Sequence, residues 1–298
     1  MIRYPWDGAL MTAAISALDS KWFTKATRRT ATLVRKGHYQ EASTIWSTVK
    51  PAFMDLQHNK CVYCERQYED ALYGTIELDL EHFRPKSDVP PWPDSNRHPG
   101  VFYAQSLGSA SPTGYYWLAY ELQNYAVSCK ICNSRFKLNF FPILNARAPT
   151  LLPVSGMPME GALLCYPLGT LDEDPEQLIT FSLTTAVPRQ AEGVNNLRGR
   201  VIVDFFGLNK RDHLHKERAR MIGAVSTLLE ARDQQQATPD MLATLQRMSE
   251  SHIPHAACVR AFMNLWLEAP EIAKEGGRRC AAYGFDPSQA PPTLNAFS

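Results

Sequence analysis

The spacing of apolar residues changes period along the chain. Leu10, Ala14, Leu18 and Trp22 recur every fourth residue, which predicts a helix over 6–23. Tyr39, Ser43, Trp46 and Val49 keep near-helical spacing and carry a second predicted helix over 25–50, until Pro51 opens or interrupts the next segment. Residues 74–82, GTIELDLEH, alternate strictly: Ile76, Leu78 and Leu80 fall on one face, and Glu77, Asp79 and Glu81 on the other. This is the pattern of a half-buried strand with an acidic face. Pro, Ser, Gly and Asn dominate 85–114, a loop long enough to be functional or disordered. Tyr115 to Tyr120 resumes an apolar, aromatic run, 129–138 reads as a short helix, and 147–196 reads as irregular. The last third is helical again. Asn209 is the expected N-cap of a helix running through KRDHLHKERARMIGAVSTLLEAR, Thr238-Pro239-Asp240 opens another, and an amphipathic helix extends from about Pro254 to Glu268.

Composition places this pattern in a folded globular chain: of 298 residues, 45% are hydrophobic and 20% charged, far from disordered or collagenous sequences. No stretch approaches the roughly 18 apolar residues of a membrane span, and MIRYPWDGAL has no apolar signal core, so the expected location is cytoplasmic. The 31 basic residues nearly cancel the 30 acidic ones, which argues against a wholly basic nucleic-acid binder. The charges are segregated, however. Residues 1–60 carry nine Lys or Arg against four acids, and 61–82 carry six acids against Arg66. Residues 129–147 carry Lys130, Arg135, Lys137 and Arg147 with no acid. An acidic strip between basic ones suits a site where carboxylates hold a cation and Lys or Arg meets a polyanion, although solvated faces give the same pattern.

Four of the seven cysteines form two C-x2-C pairs, Cys61 with Cys64 and Cys129 with Cys132. Two such knuckles fit a four-thiolate structural Zn²⁺ site. A thioredoxin-like redox pair is the weaker reading, because neither pair sits at a strand-to-helix turn of a βαβ unit, and unliganded buried thiols are the remaining one. The pairs are separated by 64 residues, far more than a compact zinc ribbon uses, so the intervening chain must be looped out. Cys165, Cys258 and Cys280 are scattered and read as small buried hydrophobes.

The looped-out segment carries Glu81-His82-Phe83-Arg84-Pro85-Lys86-Ser87, then Asn124 five residues before Cys129, Asn133 directly after Cys132, and Lys137 four residues further on. This order resembles the HNH endonucleases, whose ββα-metal core runs from a strand ending in an acidic-His pair, through a long loop and second strand, to a helix bearing the third motif residue. HFRPKS, YYWLAYELQN, CNSRFKLNFFPI, DEDPEQLITF and VIVDFFGLNKRDHLHKERAR further resemble the PtuB-like HNH subunits of Septu-type anti-phage defence, also found with some retrons. That likeness covers about residues 55–265 and leaves the first 50 poorly matched. It implies an α+β fold with a zinc-stapled ββα-metal core at 55–147, an N-terminal helical region at 1–54 and a mainly helical region at 148–298. It also implies a nuclease partnered by a PtuA-like, ABC-type ATPase similar to SMC and RecN proteins.

Phosphodiester hydrolysis needs an activated water, charge neutralisation on the phosphoryl oxygens and help for the leaving oxygen. His82 is expected to be the general base, because a neutral imidazole accepts a proton at cellular pH. Glu81 and Asn133 offer hard oxygen ligands for Mg²⁺ or Mn²⁺, and Asn124 is expected to hold the loop and orient the imidazole. Lys137, one turn after Asn133, Arg84, Lys86 and Arg135 are the candidate phosphate contacts. Asp79 reads as part of a solvated edge, His213 and His215 as surface residues, and His252 and His255 as structural. Relative to common HNH motifs, Glu81 replaces Asp, Tyr125 replaces Leu, and Leu138 stands where glycine often follows the lysine. DNA is the default substrate and a structured RNA such as a tRNA the second. The rival reading is a non-catalytic, zinc-structured binding or assembly module, favoured by the near-neutral net charge.

Overall fold

A computed structural model describes residues 1–286 and 291–292 and shows a mixed α+β chain that divides into two compact units. One unit comprises Arg3–Val62 and Tyr68–Asp174, and the other Met1–Ile2, Tyr63–Gln67 and the chain from Pro175 onward. Among the described residues no helix is long and apolar enough to cross a membrane.

In the first unit, α1 (Gly8–Leu18) starts where the Asp7 carboxylate accepts from the Ala9 and Leu10 amides. Helix α2 (Trp22–Lys36) stops at Gly37, which takes a left-handed φ of 74° and returns its N–H to Leu33. The helix expected over 25–50 therefore ends at Lys36, because glycine adopts that conformation without a steric penalty, and residues 37–45, which hold Tyr39 and Ser43, are not helical. After a 3₁₀ turn at Trp46–Val49, α3 (Lys50–Leu56) carries Pro51 in its first turn.

Strand β1 (Leu78–His82) is shorter than the alternation over 74–82 suggests. Gly74–Ile76 forms a 3₁₀ turn instead, with Ile76 exposed, and the Lys50 ammonium donates to the Thr75 and Leu78 carbonyls. β1 pairs antiparallel with β2 (Tyr125–Cys129) in a register running from Leu78 opposite Cys129 to His82 opposite Tyr125. The connection between them folds back on itself. Tyr115 N–H donates to Pro85 O, and Gly114, at φ 56°, sits so close to the Ser87 carbonyl that a Cβ would lie 1.7 Å from it. After β2 the chain winds as a π-helical turn, Ile131–Lys137, closed by Leu138 N–H on Asn133 O at 2.7 Å. The short helix expected over 129–138 is thus present but more widely wound. Phe53 packs on Tyr125 behind the strands, while Phe83 lies between Phe141 and Tyr166.

In the second unit, α4 (Pro175–Leu178), β3 (Ile179–Ser182), β4 (Thr185–Pro188) and α5 (Gly193–Phe205) occupy much of the stretch read as irregular. β3 and β4 form a hairpin whose Leu183-Thr184 turn contains none of the Gly or Asn residues that mark such turns. Four helices follow: α6 (Asp212–Asp233), α7 (Pro239–Arg247), α8 (Ala256–Glu268) and α9 (Pro270–Phe285). Their core gathers Ile222, Leu229, Phe262, Trp266 and Tyr283. Thr238 caps α7 as expected. Asn209 does not cap α6, because its amide brackets the backbone N–H and C=O of Ala186. His215 is corrected from surface to core: it is buried, with Nδ1 on Thr184 Oγ1 and Nε2 on Asn209 O.

Candidate active site

The end of β1 and the π-helical turn enclose a polar cavity of about 260 Å³ lined by Glu81, His82, Lys86, Asn133, Ser134 and Trp46 among others. Strand β1 delivers Glu81 and His82 in succession. Neighbouring strand residues normally face opposite sides, yet both border the cavity at the strand's last two positions.

His82 is held on three sides. Its Nε2 lies 3.0 Å from the Ala119 carbonyl, the Trp46 ring stands edge-on at 4.8 Å and the Tyr125 ring at 5.1 Å. A carbonyl only accepts, so Nε2 carries the proton and Nδ1 keeps its lone pair. Burial pushes the imidazole pKa well below its usual value, and the Lys86 and Lys137 ammonium groups push the same way. The ring is therefore neutral near pH 7. Tyr125 donates its hydroxyl to the same Ala119 oxygen, so the departure from the common Leu supplies part of the frame around His82.

Glu81 is buried, with Lys137 Nζ 3.0 Å from Oε1 as an ion contact rather than a directional hydrogen bond. Burial raises the Glu81 pKa and the Lys137 charge opposes that rise. Burial correspondingly lowers the Lys137 pKa against the pull of Glu81. The lysine also reaches the His82 carbonyl at 3.4 Å. Lys86 lies over the Trp46 ring at 4.8 Å and the Tyr39 ring at 5.2 Å, its pKa lowered by burial.

The remaining expected residues divide. Asn133 lines the cavity and donates through Nδ2 to Asp79, which also pairs with Lys130 at 2.9 Å. Asn124 holds the loop rather than the imidazole: it accepts from Arg84 N–H and donates to the Arg84 and Leu118 carbonyls, while its own carbonyl takes the Phe83 N–H. Arg84 is corrected as a phosphate contact, because its guanidinium is buried and bound to the wholly buried Glu160 at 2.9 Å. Arg135 is exposed on the π-helical turn. Sequence reasoning missed Trp46, Tyr39 and the Ala119 carbonyl. Only the aromatic density of YYWLAY gave a signal for that neighbourhood.

The two knuckles converge. The ligand atoms of Cys61, Cys64, Cys129 and Cys132 lie within 4.8 Å of one another, all four residues are buried, and Cys132 N–H points to the Cys129 sulfur at 3.5 Å. Four thiols so grouped can hold one zinc ion, whose tetrahedral bonds to sulfur measure about 2.3 Å.

These features define an α+β protein with a buried four-cysteine cluster of the kind that a structural metal pins. The chain is similar to Septu protein PtuB of Bacillus mycoides (strain KBAB4), with 30% identity over 178 residues, 58% of this chain and 50% of that protein. This similarity supports the PtuB-like resemblance read from the motifs, and the chain spans about half the length of that relative. No family model matches the chain, and no solved structure matches it.

Proposed function

We propose that this protein is a metal-dependent HNH-type endonuclease acting on nucleic-acid phosphodiester bonds, with DNA as default substrate and structured RNA second, in a Septu-type anti-phage defence complex. The observation that carries the proposal is the convergence of Glu81, His82 and Asn133 on one polar cavity flanked by Lys86 and Lys137. The cysteine cluster holds a structural zinc that joins the ends of the unit.

His82 acts as general base through Nδ1, with the Ala119 carbonyl fixing the tautomer. Glu81 and Asn133 fit a Mg²⁺ or Mn²⁺ ion by donor chemistry: Lys137 contacts one Glu81 oxygen and leaves the other, and Asn133 uses Nδ2 on Asp79, leaving its oxygen. When bound there, the ion neutralises charge that develops on the phosphoryl oxygens. Lys86 adds positive charge at the cavity wall, where the scissile phosphate would enter. A PtuA-like ATPase is the proposed partner, in keeping with the name of the relative.

The test is cleavage of plasmid DNA and total cellular RNA with Mg²⁺ or Mn²⁺, alone and with any ATPase found encoded beside the gene, comparing wild type with His82→Ala. Loss of a general base is expected to slow cutting by about 10²–10⁴-fold. Folded, zinc-loaded wild type and variant that are equally inert in every condition would replace this reading with a non-catalytic binding module.

A further inference from the structure

Helix α2 is the most one-sidedly charged element of the first unit. Together with Lys21 at its N-cap it carries six cations and no carboxylate. Two of the six are neutralised locally, Lys25 by Asp19 at 2.6 Å and Arg29 by Glu41 at 3.1 Å, and Lys36 donates to the Gln40 carbonyl. Lys21, Arg28 and Arg35 are exposed; the Lys21 backbone N–H donates to Asp19 at 2.9 Å, but among the described residues no carboxylate forms an ion pair with any of the three side chains.

Their spacing is regular. At seven-residue intervals they fall on one stripe, opposite the face that buries Trp22, Ala26 and Leu33. At 1.5 Å rise per residue the stripe is about 21 Å long, the axial length of about six base pairs. Helix stability accounts for only part of it: Arg35 in the last turn complements the helix dipole, but Lys21 stands at the N-terminus, where a cation opposes it. Beside the stripe, Arg29 lies over the Tyr120 ring, Tyr120 packs on Trp46, and Trp46 on His82. The stripe thus belongs to the element that braces the wall of the catalytic cavity.

We infer that Lys21, Arg28 and Arg35 form a phosphate-backbone track that holds nucleic acid outside the cleavage cavity. The inference rests on the endonuclease reading for its substrate class. The track supplies affinity that a net charge of +1 does not. It reads no base sequence, because three single cations on one helical face position phosphates and leave base edges untouched.

The test is fluorescence anisotropy of the full chain with a fluorescein-labelled 30-base-pair DNA duplex and a labelled RNA hairpin, across a salt series without added Mg²⁺. The triple variant Lys21→Gln, Arg28→Gln, Arg35→Gln keeps helix-favouring residues on an exposed face, and circular dichroism checks its fold. Each lost phosphate contact removes about 0.9 from the slope of log affinity against log salt, so a drop of about 2–3 and at least tenfold weaker binding are expected. A control that removes equal charge from the second unit, Lys210→Gln, Arg247→Gln, Arg278→Gln, is expected to bind as wild type.

Unchanged slope and affinity in the α2 variant, equal loss in the control, or no binding by wild type overturns the track. So does an α2 variant that keeps nucleic acid but loses an acidic protein partner. Hydrolysis of bis-p-nitrophenyl phosphate, too small to reach α2, separates the two claims. If it depends on His82 while the track test fails, only the track falls; if the track holds and His82→Ala changes nothing, only the nuclease reading falls.

Discussion

Two buried carboxylates near the end of β1 meet opposite fates. Glu160 has both oxygens occupied: Arg84 Nε donates to Oε2, and the Tyr115 hydroxyl and Ala148 N–H donate to Oε1. Among the described residues, the Glu81 carboxylate has an ion contact only with the Lys137 ammonium, and it borders a cavity. A buried charge is costly unless it is fully hydrogen-bonded, so the Glu160 node is a finished structural joint, and Glu81 retains coordinating capacity. The same contrast separates the histidines. His215 is bonded at both nitrogens, whereas His82 is bonded to a carbonyl through Nε2 and borders the cavity. Residual bonding capacity facing a cavity, rather than burial or charge alone, marks the groups suited to chemistry.

The largest effect should come from the frame that both carboxylates share. A structural zinc contributes on the order of 10 kcal/mol to small metal-folded units, so Cys132→Ser is expected to lose zinc and cooperative unfolding together. Metal analysis and thermal circular dichroism check this; a variant melting like wild type would show that the thiols do not carry the frame. Next, Glu160→Gln should cost about 3–5 kcal/mol in urea unfolding while cleavage per folded molecule survives. Glu81→Gln strands the buried Lys137 ammonium and should cost a comparable amount, but it should also reduce cleavage per folded molecule by about 10²-fold or more. Equal cleavage per folded molecule in the two variants would erase the distinction between joint and site.

The smallest effect concerns His215, whose pKa burial holds below its usual value. The unfolded chain then takes up the proton first, near pH 6.5. Stability therefore rises with pH through that window and falls as pH drops below about 6.5. His215→Gln should flatten this slope between pH 7 and 5, measured by urea unfolding, with cleavage unchanged. A loss of cleavage would place His215 with His82 instead.

The parts of the molecule legible in the sequence are those set by local spacing. Cys61, Cys64, Cys129 and Cys132 were readable because each knuckle is four residues long, and the structure brings them together. Strand β1 was readable from its alternation, except at Gly74–Ile76, where tertiary bonds from Lys50 hold the backbone in a turn. The β3–β4 hairpin was hidden by a turn without glycine, and α9 by Gly276 and Gly277, which propensity reads as a break. At the candidate site, Glu81 and His82 are sequence neighbours, while Trp46 and the Ala119 carbonyl reach His82 only through folding. A backbone oxygen has no residue-type signature at all. Arg84 misled for the complementary reason: its partner, Glu160, lies 76 positions away.

The 64-residue excursion between the knuckles bears on the cost of closing the fold. Bringing the ends of such a loop together costs about 4 kcal/mol of chain entropy, and two five-residue strands form a pair too small to be stable alone. Closure through the four thiols meets that entropic cost at one end of the ladder, where Leu78 lies opposite Cys129, and the register runs from there to His82 opposite Tyr125. His82 is the residue farthest from the closure point. The candidate site thus sits at the end of the ladder remote from the cysteine cluster, and its geometry depends on closure of that distant node.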